Sequence, residues 1–186
     1  MAQDFSSREV SLEAVMATGC GEVYRYWEAK RAGRFAPAWD EFHLVDLPSD
    51  IIPYIRVADV INDGDDFLYR FWGTGLATIR AMDRTGMRLS AIKSLRTETA
   101  LAEYRRIVQD KSCFTIVYDA RSGEGRLSLH APSIRLPLSS DGETVDKIVC
   151  YTDFDTDGAE WQRFFEQRNT GTVIPATEPI DSRRVP

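Results

Sequence analysis

The chain has 186 residues, 43% of them hydrophobic and 28% charged, ordinary proportions for one globular domain with a sizeable core. Its net charge of −6 argues against a sequence-independent nucleic-acid binder, which needs a basic face, and against docking on an anionic membrane. No apolar run of about 18 residues offers a transmembrane helix. The start, "MAQDFSSREVSLEAV", has neither the basic end nor the apolar run of a signal peptide, so a cytoplasmic protein is expected.

Leu12, Val15 and Met16 begin an apolar stripe that Gly19 interrupts, which predicts a split first helix. Val23, Tyr26, Trp27 and Lys30 then follow at helical spacing up to Gly33, a glycine placed to cap the helix. "RFAPAWDEFHLVDLPSDIIP" holds three prolines and no clean period, so it reads as an ordered loop pinned by Phe35, Trp39, Phe42 and Leu44. "YIRVADVIND" and "FLYRFW" form a predicted hairpin around Asp63-Gly64. Short helices follow to Leu89, then "TETALAEYRRIVQDK", an amphipathic helix with Leu101, Tyr104 and Val108 on one side.

Three strand candidates come next: "CFTIVYDA", "RLSLHAPSIRLPL" and "DKIVCYTDF", separated by the turn-rich "RSGEG" and "SSDGE". Pro132 and Pro137 suit an edge or bulged strand. "DGAEWQRFFEQRN" predicts a last helix with Trp161, Phe164 and Phe165 on one side, capped by Asp157, before a tail. The pattern is α+β: a five-stranded antiparallel sheet with helices on one face, plus N-terminal and C-terminal helices. The expected segments are a helical 1–33, a sheet domain over 34–156, and a helix with tail over 157–186.

Motifs that carry chemistry are few. "GTG" at Gly73–Gly75 has Thr78 where a dinucleotide fingerprint needs its third glycine, and no Walker lysine follows. "DFDTDG" (Asp153–Gly158) matches the first half of a calcium loop, but Phe164 stands at the position of the bidentate carboxylate. His43 and His130 are far apart and belong to no metal spacing; Cys20, Cys113 and Cys150 form no CxxC, so neither a metal nor a redox pair is expected. No nucleophile elbow or paired-carboxylate site is present.

Arg70 is the most informative residue read this way. Alternation puts Leu68, Arg70 and Trp72 on one face of the strand and Phe67, Tyr69 and Phe71 on the other. A guanidinium on a covered strand must find an acceptor or a stacking partner. Asp83, the carbonyls near Gly86, or a ligand carboxylate could serve it. The surrounding aromatics fit a filled core or a small apolar cavity equally well.

"YWEAKRAGRFAP", "IIPYIRVADVI", "FLYRFWGTGL" and "DRTGMRL" together resemble a small, often stand-alone PAS-like domain family abundant in alphaproteobacteria, formerly a domain of unknown function. The resemblance runs from about Tyr24 to about Asp155; its most specific residues are Arg70, Gly73, Thr74, Asp83, Thr85 and Gly86. It implies a PAS fold with strand order 2-1-5-4-3, a homodimer or partner surface on the N-terminal helix (Val23, Tyr26, Trp27), and a sensory or docking role instead of catalysis. The expected pocket is walled by Tyr69, Phe71, Met82 and Tyr104, with Arg70 as polar anchor, for a small apolar or weakly acidic ligand or a signalling partner. Nothing resembles the flavin-binding "NCRFLQ" core, and the long helix has no histidine for haem, so neither cofactor is expected. The rival readings are a cone-shaped isomerase or dehydratase, which needs a buried acid or base in the cavity, and a ligand-free interaction module with a filled core.

Overall fold

The structure, a computed structural model, describes residues 4–94, 96–121, 128–154 and 158–169. Its strands are β1 (Asp4–Glu9), β2 (Ile55–Ile61), β3 (Asp66–Trp72), β4 (Phe114–Arg121), β5 (Ser128–Leu138) and β6 (Lys147–Thr152). They form one antiparallel sheet in the order β1-β4-β5-β6-β2-β3. The last five strands take the expected 2-1-5-4-3 order. The sheet of the described residues has six strands, however, not five. "DFSSRE" pairs with β4 from Asp4↔Arg121 to Glu9↔Ile116, so the segment up to residue 33 begins as a strand and not as a helix.

Four helices cover the sheet: α1 (Gly19–Arg31), α2 (Thr74–Arg80), α3 (Thr97–Asp110) and α4 (Gly158–Asn169). Directly opposed residues of antiparallel strands share a face. The rung Val57, Phe71 and Val149 therefore looks one way, and the neighbouring rung Arg56, Trp72 and Cys150 looks the other. α1 packs on the first face. Val23 and Trp27 are buried there, and the Trp27 indole Nε1 donates to the Pro137 carbonyl at 2.8 Å. Helices α2, α3 and α4 cover the second face with Leu76, Tyr104 and Trp161 in its core.

Val23 and Trp27 are thus consumed by the protein's own sheet, and the dimer surface expected on them is corrected. Tyr26 is half-buried; its hydroxyl donates to the Asp46 carboxylate at 2.8 Å and accepts from the His43 N–H at 3.1 Å. α1 begins on two caps: Thr18 Oγ1 accepts from Cys20 N, and Asp153 accepts from Gly19 N at 2.7 Å. The other acids of the calcium-like stretch, the Asp157 cap, most of "RSGEG" and the tail lie outside the described residues.

Pro132 and Pro137 sit in β5, which pairs on both sides and is no edge. Backbone N–H and C=O of one residue in an antiparallel strand point to the same neighbour. The Pro132 carbonyl accepts from Asp153 N, just past the Ser133↔Thr152 end of the β6 ladder. Pro137 faces β4 beyond its first rung, Phe114↔Arg135, and its carbonyl takes Trp27 instead. Each proline places its missing donor where the neighbouring strand has run out.

β3 carries a register shift: Val57 faces Phe71 while Ala58 faces Tyr69, leaving Arg70 as the extra residue of a bulge. The expected alternation fails there. Tyr69 and Trp72 share the α3 side, and only Phe71 turns toward α1. Gly73 ends the strand with φ near −60°, so it serves close approach and no unusual turn; a Cβ there would sit 2.2 Å from the Pro53 carbonyl oxygen.

Candidate ligand cavity

Between the second sheet face and its helical cover lies a cavity of about 430 Å³. The sheet contributes Arg56, Tyr69 and Trp72 from β2 and β3, with Tyr118, Arg135 and Thr152 from the central strands. α3 adds Ala100 and Tyr104, and the α2 end adds Arg80, Met82 and Arg84. Phe5 of β1 and Phe165 of α4 close the remaining side.

The chemistry of this lining departs from the chain's overall charge. Five arginines and Lys93 line the cavity, and no aspartate, glutamate, histidine or cysteine among the described residues does. Arg56 donates to the Tyr104 hydroxyl at 3.2 Å and to Thr152 Oγ1 at 3.1 Å. Arg135, 1% exposed, donates to the Tyr118 hydroxyl at 3.1 Å and to Glu103 at 2.6 Å. Glu103 also receives Arg96 at 3.2 Å, so one carboxylate serves two cations. Tyr104 completes a chain through its hydroxyl to Cys150 Sγ at 3.1 Å.

Arg80 and Arg84 have aromatic partners instead of acidic ones. The Arg80 guanidinium lies 3.7 Å from the Phe165 ring centre and Arg84 lies 5.2 Å from that of Trp72. Burial pushes the Arg80 pKa down to about 9, with Arg84 and Arg56 adding repulsion. Burial lowers Arg84 too, Arg56 adding to it and Tyr69 opposing. Arginine keeps its proton in proteins, so the direction marks a buried cation that its arginine neighbours further disfavour. Burial raises the Tyr69 and Tyr104 hydroxyls. It acts on Tyr118 as well, but Arg135 and then Arg56 outweigh it and hold that hydroxyl below its ordinary value.

Of the residues expected in a pocket, Tyr69, Met82 and Tyr104 come together here. Arg70 and Phe71 do not. Arg70 has a side chain 53% exposed and forms two bonds to Asp59 across the strand pair, at 2.9 and 2.7 Å. It does not line this cavity, and its partner is Asp59 in place of the expected Asp83. Asp83 instead accepts from Thr85 N and Thr85 Oγ1, closing a turn that runs through Gly86 at φ +81°. Gly86 N donates to the Tyr69 carbonyl at 2.7 Å and Tyr69 N donates to Met87 O at 3.0 Å. The Asp83–Gly86 motif therefore clips the cavity's cover to β3 beside Tyr69. Thr74 opens α2 on its exposed side, its carbonyl accepting from Thr78 Oγ1.

Arg56 and Arg135 are functional candidates that the reading from sequence passed over. Each interrupts an apolar strand run, "YIRVADV" and "SIRLPL", as Arg70 does. That shared signal was available for all three.

A six-stranded antiparallel sheet cupping an interior cavity under helices defines a cavity-bearing α+β domain. The family model described as PAS domain matches residues 16–151, and the chain belongs to that family. No curated protein matches the chain. Similar solved structures include a light-oxygen-voltage domain studied with a flavin analogue, at 11% identity over 63% of this chain and 87% of that one, TM-score 0.39. An RNA-binding light-oxygen-voltage receptor aligns at 11% identity over 91% of this chain and 43% of its own, TM-score 0.40. A sensory box histidine kinase/response regulator from Burkholderia thailandensis aligns at 13% identity over 64% and 90%, TM-score 0.32.

Proposed function

We propose that this PAS domain is a sensory module that binds a small ligand in the cavity beneath α2 and α3 and reports its occupancy to a signalling partner. The observation carrying this reading is the cavity itself, about 430 Å³ walled by convergent polar groups and aromatic rings, within the range of small-molecule sites. A filled core would leave no such space. An acid–base enzyme needs a carboxylate or imidazole facing its substrate; the described lining offers guanidinium, hydroxyl and apolar groups, which supports binding over catalysis. The described lining holds no histidine to ligate haem and no cysteine to form a flavin adduct, so this reading invokes neither chemistry.

Occupancy has a physical route outward. Phe5 and Phe165 lie outside the matched family segment, and Arg80 stacks on Phe165 from inside the cavity. A ligand that engages Arg80 changes how α4 seats, so α4 and β1 are the surface where a partner would read the signal. The test is native mass spectrometry of the purified protein with an absorbance spectrum. The expected result is a small-molecule mass on the wild-type chain that is missing from a folded Ala100→Phe variant, whose ring would occupy the cavity. A bare wild-type chain that also shows no saturable binding across a metabolite library would overturn the reading, and a visible absorbance band would reassign the ligand to a coloured cofactor.

A further inference from the structure

We propose that the cavity's ligand is a small organic anion carrying two or more negative charges, recognised by Arg56, Arg80, Arg84 and Arg135. This rests on the ligand-cavity reading above and adds the chemical class.

The first argument is charge. The chain is net negative at −6, yet all six charged residues in the described lining are cationic. Glu103 offsets one charge and is shared by Arg96 and Arg135. Lys93 is exposed and can be met by water. Arg56, Arg80 and Arg84 remain without a carboxylate among the described residues. Like charges gathered in a partly buried site repel strongly, because the low local dielectric screens them little. An anion would reverse the sign of that energy.

The second argument is hydrogen bonding and is independent of the first. Among the described residues, the buried side-chain polar atoms without a partner are Trp72 Nε1, Arg84 Nε, Arg105 Nε, and Arg135 Nε and Nη1. Every one is an N–H donor, and all but Arg105 belong to residues lining the cavity. Buried donors left unmade are costly, so a ligand that answers them is rich in acceptors and brings few donors of its own. Carboxylate and phosphate oxygens are such acceptors, and arginine forks meet both bidentately.

Geometry completes the case. Arg80 and Arg84 lie over the Phe165 and Trp72 rings at 3.7 and 5.2 Å, contacts that use none of their N–H groups and leave these for a planar or tetrahedral anion. Arg56 and Arg135 flank Cys150 on one rung of the sheet, so cations approach from the floor and from the cover. A single charge could meet one side alone. The apolar remainder, Leu76, Ile92 and Phe154, gives an organic body somewhere to sit.

The experiment is a calorimetric titration of the purified, desalted full chain at constant ionic strength. Citrate and succinate serve as carboxylate probes, inorganic phosphate as the phosphate probe, benzoate as the monoanion and indole as the neutral probe. At least one multiply charged probe is expected to bind saturably, ten-fold or more tighter than benzoate or indole. Whether a carboxylate or phosphate wins assigns the headgroup. Arg80→Gln and Arg84→Gln, on the half-buried cover and outside the packed sheet, are expected to weaken that binding ten-fold each, well beyond any change in indole affinity, while circular dichroism stays unchanged. Saturable binding of indole with no response to any anion overturns the class and leaves the ligand-cavity reading standing. Failure of every anion probe overturns the class whatever native mass spectrometry shows; the ligand-cavity reading falls with it only if the wild-type chain is also bare and binds nothing in the metabolite library.

Discussion

Arg70, Arg56 and Arg135 all interrupt apolar strands, and what lies opposite decides their roles. Arg70 is the extra residue of a bulge and lies half-exposed over Asp59, a carboxylate that Lys147 also approaches at 3.8 Å. Arg70 is itself half-exposed and Lys147 stays to answer Asp59, so Arg70→Gln should cost only about 1 kcal/mol in urea denaturation. Gly73→Ala, three residues on, should cost more, about 1–3 kcal/mol from overpacking, because the new Cβ meets the Pro53 carbonyl, a backbone atom that cannot rotate away. Equal midpoints for the two variants would remove the steric account of Gly73. Arg56 and Arg135 sit on the covered face, where their charge must be answered from within. Their neighbours supply hydroxyls and one shared carboxylate, which is why these two and not Arg70 shape the cavity.

At the scale of elements, the cover is held at two ends by different forces. Asp66, at the start of β3, accepts from Ser90 Oγ at 2.6 Å, Ser90 N at 3.1 Å and Phe67 N at 2.8 Å. These bonds tie the turn Leu89–Ala91, whose Leu89 lines the cavity, to the sheet edge. Burial works to raise the Asp66 carboxyl, but the Ser90 hydroxyl and the two N–H donors outweigh it and leave the folded pKa below the ordinary value. The linkage sign follows: its stabilisation is fully present above the unfolded value of about 3.9 and is lost as pH falls through the lower folded pKa. Urea midpoints taken from neutral to acid pH should therefore drop less steeply in Asp66→Asn than in the wild type. A parallel acid limb would show that Asp66 contributes nothing.

The other end is apolar. α4 buries Trp161, Phe164 and Phe165, and Trp161 meets Phe154 and Phe165 at ring centroid distances of 5.5 and 5.8 Å. Trp161→Ala should destabilise by about 3–5 kcal/mol, the usual range for emptying such a site. It should also loosen the Phe5–Phe165 wall, so ligand affinity should fall along with stability; a variant that loses stability at unchanged affinity would detach α4 from the cavity.

For the whole molecule, one sheet buries both faces in different ways. The α1 face is close-packed aliphatic and aromatic side chains, with the Trp27 indole bonded to Pro137. The opposite face is polar at its centre, with Ser133, Thr152, Arg56 and Arg135 among its buried residues, and there the packing leaves a cavity. No helix among the described residues is long and apolar enough to cross a membrane.

The sequence by itself determined the elements of the family core. β-branched runs made β2 through β6, the Leu101 and Tyr104 stripe made α3, and Asp63-Gly64 marked the hairpin, because hydrophobic period and turn chemistry are local. The expected pocket group came with the family resemblance and not from local pattern; Tyr69, Met82 and Tyr104 of it line the cavity, while Arg70 and Phe71 do not. β1 was hidden because "DFSSRE" is too polar and short to read as a strand until β4 offers it a partner. The place of Arg70 was hidden because a bulge is a property of two strands in register, and alternation read along one strand cannot contain it. Which arginines face inward was settled by the tertiary structure, since charge balance in a cavity depends on residues 48 to 96 positions apart that meet nowhere but in the folded chain: Arg56 on Tyr104 and Thr152, Arg80 on Phe165.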